Sequence, residues 1–313
     1  MEPTSVFTRS LLVALLWCVA LGRAIADPVL VLYPEAPDPY RQAFDQIMTG
    51  LARTAGGPLD RRMVTATTER GQIQSWLDEA SPDAAVVLLG RPTVALSEIG
   101  RDRLGGDHRV FVGGINALPG QTPWPGLSLI AEPALYLQTL HELLPNVRRV
   151  IAFYHAQDRE WATRATRAAA DLGLRIEPVA VDDAPSAVRR IAEALKTLDP
   201  NTTALWFAAN TLDLDRELIF PWVLEQTWDR RIAAFSDTAA HAKRGFLFAL
   251  YPDYVEVGAE LGRRIRQGAA GRDGGFALTR AVRFALNGRT ARHLGIALGD
   301  DLVRRAQPLY PQP

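Results

Sequence analysis

IAAFSDTAAHAKRGFLFALYPDYVEVGAELGRRI, residues 232–265, changes its periodicity three times, and the order of the changes decides the fold class. An apolar run, 232–235, stops abruptly at Ser236-Asp237-Thr238. A brief helical piece, 239–244, leads to Gly245 and a second apolar run, 246–251. Asp253 then opens a helix whose apolar positions recur at Val255, Val257, Leu261 and Ile265. A short continuous apolar run is the mark of a strand covered on both faces, as in a parallel sheet. Polar groups at the carboxyl end of such a strand lie where open α/β sheets bind small ligands. The second run starts beside that tip, so the chain is expected to change lobes there.

The same alternation runs outward in both directions. Strands are expected at 29–33, 63–66, 84–89 and 110–112, with helices at 40–53 and 69–80 between them. The Pro/Gly-rich stretch GGINALPGQTPWPG, 113–126, follows, and then a helix at 134–144. A second series has strands at 150–154, 175–181, 204–208 and 232–235, separated by helices at 159–172, 185–198 and 214–225. Two β-α series joined by such a crossing imply two doubly wound, Rossmann-like α/β lobes with a ligand cleft between them. The expected division is 27–120 plus 246–277 for lobe 1, and 121–245 plus 278–313 for lobe 2. The hinge crossings are then expected near 117–124, 241–246 and 274–280. Strand ends Tyr33, Leu89, Val112, Tyr154, Ala208 and Phe235 should converge on the cleft.

The first 26 residues read as an address. Arg9 precedes an apolar stretch, 10–21, and Ala24-Ile25-Ala26 ends it, the layout of a secretory signal peptide cleaved after Ala26. The stretch is shorter than the roughly 20 apolar residues a spanning helix needs. A periplasmic location is expected. The single cysteine, Cys18, falls inside this segment, so the processed chain has no disulfide, no thiolate metal site and no Cys nucleophile. With 35 basic and 35 acidic residues and no basic run, nothing invites nucleic acid. The G-x-S-x-G, H-E-x-x-H, P-loop and G-x-G-x-x-G motifs are absent from the sequence. Ser236, Asp237 and His241 suggest a triad, but hydrolytic triads usually assemble from distant segments. A hydrolase is therefore kept only as an alternative from another class. The histidines are scattered, and neither metal nor cofactor is implied.

Three stretches carry a family likeness: PNVRRVIAFYHAQDREWATRATRAAADLG at 145–173, residues 235–262, and VRFALNGRTARHLGIALGDDLVRRA at 282–306. In the last, an Asn ends a strand ahead of an A-x-x-L-G-I helix. The chain resembles the periplasmic substrate-binding proteins of ABC importers, in the branch that includes tryptophan- and tyrosine-type amino-acid binders, over residues 27–308. The resemblance implies a type I periplasmic-binding fold, a non-enzymatic role and capture of a small organic ligand, such as an amino acid or related compound. It further implies a monomer that closes on its ligand and delivers it to a membrane permease. A sensor subunit signalling to a membrane protein is the alternative within binding.

A binding cleft needs convergent polar groups against an apolar wall. The second lobe offers His155, Gln157, Asn210, Thr211, Ser236 and Asp237; the first offers Tyr33, Glu35, Arg91, Thr93 and Asn116. Tyr33, Tyr154 and Trp124 could supply aromatic walls. If the ligand is an amino acid, Asp237 would pair with its ammonium group, and Arg91 or backbone N–H groups would take its carboxylate. Structural alternatives stand beside these. Asp237 and Thr238 could cap the helix at 239–244, Asp158 the helix at Arg159, and Asn210 could be a turn residue. Arg91 could face solvent, and Trp76, Trp161, Trp206 and Trp222 are expected in the core.

Overall fold

The computed structural model describes residues 28–99, 109–208, 219–268 and 275–311. The expected signal peptide lies outside these residues. The first sheet contains β1 (Val29–Pro34), β2 (Leu59–Val64), β3 (Ala85–Leu89), β4 (Arg109–Ile115), β5 (Gly126–Ala131) and, from far along the chain, β11 (Phe276–Thr279). Its order is β11-β5-β4-β3-β1-β2, with every pairing parallel. The second sheet holds β6 (Arg149–His155), β7 (Arg175–Val181), β8 (Thr203–Phe207), β9 (Ala233–Ser236), β10 (Phe248–Pro252), β12 (Val282–Asn287) and β13 (Leu309–Tyr310). Its order is β13-β12-β10-β9-β8-β6-β7, parallel except where β12 runs against β10. Both sheets thus begin with the same strand order, 2-1-3-4-5. The order reverses between β1 and β3 in one and between β6 and β8 in the other, the crevices where such sheets bind ligands.

Burial explains why the strands read so clearly. All five residues of β3, AVVLL, and all five of β8, TALWF, are buried, because helices cover both faces of each sheet. In the first lobe one face is packed by α2 (Arg70–Glu79) through Ile73 and Leu77. The other takes α1 (Tyr40–Thr54) and α9 (Tyr254–Gln267), through Ile47, Met48, Leu51, Leu261 and Ile265. α3 (Arg91–Ile99) follows β3. In the second lobe α4 (Pro133–Leu143) and α5 (Arg159–Asp171) bury Leu137, Leu140, Ala165 and Ala169 on one face. α6 (Ala184–Thr197) and α7 (Ile219–Asp229) bury Ile191, Leu195, Phe220 and Val223 on the other. Three short helices, α8 (Ala239–Arg244), α10 (Gly288–His293) and α11 (Asp300–Arg305), complete the second lobe.

The lobe boundaries differ from those expected. Gly126–Ala131 is a strand of the first sheet, so the Pro/Gly-rich stretch connects β4 to β5 within lobe 1 and is not the crossing. Phe248–Pro252 pairs with β9 and β12 in the second sheet, so the chain does not leave lobe 2 at Gly245. It leaves one strand later, at Asp253, and α9 packs on lobe 1. The three crossings therefore follow β5, β10 and β11, and they are bonded to one another. The Glu132 N–H donates to the Thr279 carbonyl (2.9 Å) and the Asp253 N–H to the Ala281 carbonyl (3.0 Å). Arg280 pairs with Glu132 (3.5 Å) and Arg283 with Asp253 (3.5 Å).

α9 meets α1 at backbone distance. A Cβ on Gly258 would lie 1.9 Å from the Ile47 carbonyl oxygen, and one on Gly50 would lie 1.7 Å from that of Val255. Only glycine permits this approach. It lets Thr54 Oγ1 donate to the Ala259 carbonyl at 2.7 Å. Asp253 caps α9, its carboxylate accepting from the Val255 and Glu256 N–H groups.

Candidate ligand site in the cleft between the lobes

Both sheets point their carboxyl ends at one cavity of about 220 Å³. From lobe 1, α1 supplies Tyr40, Ala43, Phe44 and Ile47, the end of β4 supplies Gly114 and Asn116, and β5 supplies Leu129 and Ile130. From lobe 2 come Tyr136 on α4, Trp161 on α5, Trp206 and Ala208 at the β8 tip, and Asp237 and Thr238 just past β9. Pro252 and Tyr254 reach it from the second crossing.

The lobe-2 wall is aromatic. Trp206 and Tyr136 have ring centroids 5.0 Å apart, and Trp161 meets Trp206 edge to face at 4.7 Å and 72°. The Tyr136 hydroxyl donates to the Leu250 carbonyl at 2.9 Å. Burial, and after it the neighbouring Asp237 carboxylate, push the Tyr136 pKa well above its ordinary value, so the hydroxyl remains neutral. The indole N–H of Trp206 is buried and has no hydrogen-bond partner among the described residues, a condition proteins seldom leave unrelieved. Asp237 is the single charged side chain among the described residues lining the cavity. It accepts from the Thr238 hydroxyl at 3.1 Å. Thr238 is the N-cap of α8, but its side chain makes no capping bond.

Of the expected site residues, Asn116 and Asp237 line the cavity. Arg91 stands beside it, exposed, donating to the Asn116 carbonyl at 3.1 Å. The others are placed elsewhere. Thr93 is buried, and its hydroxyl bonds back to the Leu89 and Gly90 carbonyls. Ser236 is fully buried, 3.0 Å from His241 Nδ1, with its oxygen accepting from the Thr238 N–H. The Ser236 hydroxyl is thus held by its neighbours and does not line the cavity. Tyr33 packs against the core between α1 and the first sheet, Glu35 is exposed, and Tyr154 stacks on Trp161 at 6.1 Å. His155 faces Asp182 at 3.9 Å and Gln157 is exposed. Trp124 packs in the lobe-1 core rather than on the cavity. Asn210 and Thr211 lie outside the described residues. Asp158 makes no capping bond to α5. Burial raises its carboxyl above the ordinary value, against the pull of His155 and of Arg91 from the opposite lobe.

Trp161 and Trp206 were expected in the core and belong to core and cavity wall at once. The signal that could have found Trp206 is its position, two residues before Ala208 at the tip of β8. Among the described residues no three His, Cys, Asp or Glu side chains gather into a metal site, and no helix is long and apolar enough to cross a membrane.

Two doubly wound lobes, three crossings and a shared cavity at the strand tips define a two-lobed ligand-binding protein. The family model for ABC transporter substrate binding proteins matches residues 135–309, more than half of the chain, and the chain belongs to that family. A ligand-free, open substrate-binding protein with adhesive properties from Clostridium difficile shares the fold, with TM-score 0.61, 14% identity and coverage of 90% of this chain and 98% of that one. An ABC domain from Streptococcus pneumonia in complex with L-Trp aligns with TM-score 0.51 and 16% identity, over 90% and 99% of the two chains. A conserved domain protein from Vibrio cholerae gives 0.51 and 14%, again over 90% and 99%. No curated protein matches the chain.

Proposed function

We propose that the protein is exported, loses its first 26 residues, and works in the periplasm as a monomeric solute-binding subunit. It captures a small organic ligand between its lobes and hands it to an ABC-type permease. The observation that carries this is the cavity formed jointly by Asp237 and Trp206 of one lobe and Asn116, Tyr40 and Phe44 of the other. A ligand touching both lobes favours the closed state by its differential affinity, and the permease reads that state. At about 220 Å³ the cavity is below the roughly 300–1,000 Å³ of drug-sized sites, which suits a small metabolite rather than an oligomer. Asn116 and Asp237 are the proposed polar contacts, with Arg91 at the rim. No reaction is assigned, since the family is a binding class.

The test is a thermal-shift screen of the processed protein against a broad metabolite panel, because a ligand that binds only the folded state raises its melting temperature. At least one small molecule should stabilise it, and Asn116→Ala, at an exposed residue of the cavity wall, should weaken the shift while leaving the circular dichroism spectrum unchanged. A panel without a single stabilising compound would sink the proposal.

A further inference from the structure

Lobe 2 holds a second pocket at the far end of β9 from the cleft. Asp237 and Thr238, just past the carboxyl end of β9, line the cleft, whereas Ile232, just before its amino end, lines a cavity of about 490 Å³. α8 starts beside the cleft, and Lys243 and Arg244 at its end line this other cavity. We propose that the cavity is a second ligand site, built for a small organic oxyanion: a carboxylate or a phosphate ester on an apolar body.

The frame of the cavity is bonded to itself. The buried Asn287 side chain donates to the Ala242 carbonyl at 2.8 Å and accepts from the Thr290 N–H at 2.9 Å. The Thr290 hydroxyl donates to the Gly245 carbonyl at 2.8 Å, and that of Thr227 to the Val223 carbonyl at 2.8 Å. The neutral polar side chains of the wall are thereby used, and Leu224, Ile232, Ala234 and Leu294 add apolar surface. The cations are placed differently. Trp228 stacks on His293 with centroids 4.0 Å apart and planes 5° from parallel, and His293 Nε2 donates to the Trp228 carbonyl at 2.9 Å. The Arg289 guanidinium sits 5.0 Å from the Trp228 ring centroid, and the Arg244 guanidinium 4.2 Å from that of Phe220. Holding a guanidinium over a ring restricts its motion without using its N–H donors. Neither arginine, nor Lys243, has an ion-pair partner among the described residues. Glu225 and Asp229 also line the cavity, so these cations outnumber the carboxylates three to two. An oxyanion entering here takes charge-assisted hydrogen bonds from guanidiniums that are already held in place, and its apolar body lies against the leucine and isoleucine wall.

Isothermal titration of the processed protein with 3-phenylpropionate and with phenyl phosphate tests the proposal, with 3-phenylpropionamide as the uncharged isostere. At least one anion should bind with a Kd below about 1 mM, and the amide at least about tenfold more weakly. The tighter of the two anions identifies the head group. Arg244→Ala and Arg289→Ala, both at exposed residues, should each weaken that anion about tenfold or more with circular dichroism spectra unchanged. Asn116→Ala, in the cleft, should leave its affinity as it was. Failure of both anions to bind overturns the proposal, as does an amide that binds equally well. So does an anion that Asn116→Ala weakens as much as the arginine substitutions do. A ligand found for the cleft should keep its thermal shift in Arg289→Ala; its loss there would show that the two sites are not separate and would overturn the proposal, while the cleft reading stands on its own screen.

Discussion

Replacing Gly258 by Ala puts a methyl group where the Ile47 carbonyl oxygen stands, 1.9 Å from the new carbon. A carbonyl inside a helix cannot swing away as the end of a long side chain can, so α9 and α1 must part by roughly 1 Å. Overpacking of this kind costs about 1–3 kcal/mol. The bond from Thr54 to the Ala259 carbonyl, 2.7 Å long, would stretch and give up about 1 kcal/mol more. Against this, Ala gains about 1 kcal/mol over Gly in helix propensity. The net expectation is a loss of about 1–3 kcal/mol, or roughly 2–10 °C in melting temperature for a chain of this size. Urea and thermal melts followed by circular dichroism measure it. Gly71→Ala in α2 is the control, since a Cβ there meets nothing within 4 Å and should leave stability level or slightly higher. Because α1 also carries Tyr40 and Phe44 of the cavity wall, ligand affinity should fall along with stability. A Gly258→Ala protein within about 0.5 kcal/mol of the parent would refute the claim that these helices touch at backbone distance.

Other substitutions probe the hinge, the cleft mouth and the second lobe. Asp253→Ala removes the cap of α9 and its pairing with Arg283, and should cost about 1 kcal/mol in denaturant melts; an unchanged midpoint would show that the cap carries no weight. Asp158, with its carboxyl raised by burial, holds its proton more tightly folded than unfolded. It therefore contributes stability in acid that is lost as pH rises from the ordinary carboxylate range through the raised value. Asp158→Asn should match the parent in acid and equal or exceed it in melting temperature near neutrality, and a less stable variant at neutral pH contradicts the burial argument. Asn287 is buried, donates to the Ala242 carbonyl at 2.8 Å and accepts from the Thr290 N–H at 2.9 Å. Asn287→Ala strands two backbone groups and should cost about 1–3 kcal/mol by chemical denaturation, with a loss near zero counting against that bonding.

The strands buried on both faces were legible because their composition has one physical reading: AVVLL and TALWF leave no polar face to put in water. α1 is legible from its apolar stripe, Phe44, Ile47, Met48 and Leu51. What an apolar run does not state is which sheet it joins, and so 246–251 reads as a lobe-1 strand although it pairs in lobe 2. Its partners, β9 and β12, are chosen by tertiary pairing that leaves no local mark. β5 was hidden by the proline-rich approach to Gly126 and by Ser128, whose hydroxyl turns inward to the Ala117 carbonyl. In the cleft, Asp237 could be found because a strand tip is a known address. Thr93 and Ser236 have the same address, but their short hydroxyls turn back onto the backbone and the neighbouring His241. Trp161 and Tyr136 lie on helices, where a core residue and a wall residue look alike until the opposing lobe is in place.

The late return of α9 and β11 to the first lobe also sets an order of assembly. Leu261 and Ile265 close one face of a sheet whose first strand ends some two hundred residues earlier, and β11 forms its edge. A ribosome that has released only the first five strands has produced a sheet that lacks its edge strand and part of the cover on one face. Neither half can complete its burial until nearly the whole chain has emerged. For a polypeptide that must be threaded unfolded through a membrane, as the export proposed above requires, this interleaving works as a timer: the chain stays open until almost all of it has been made.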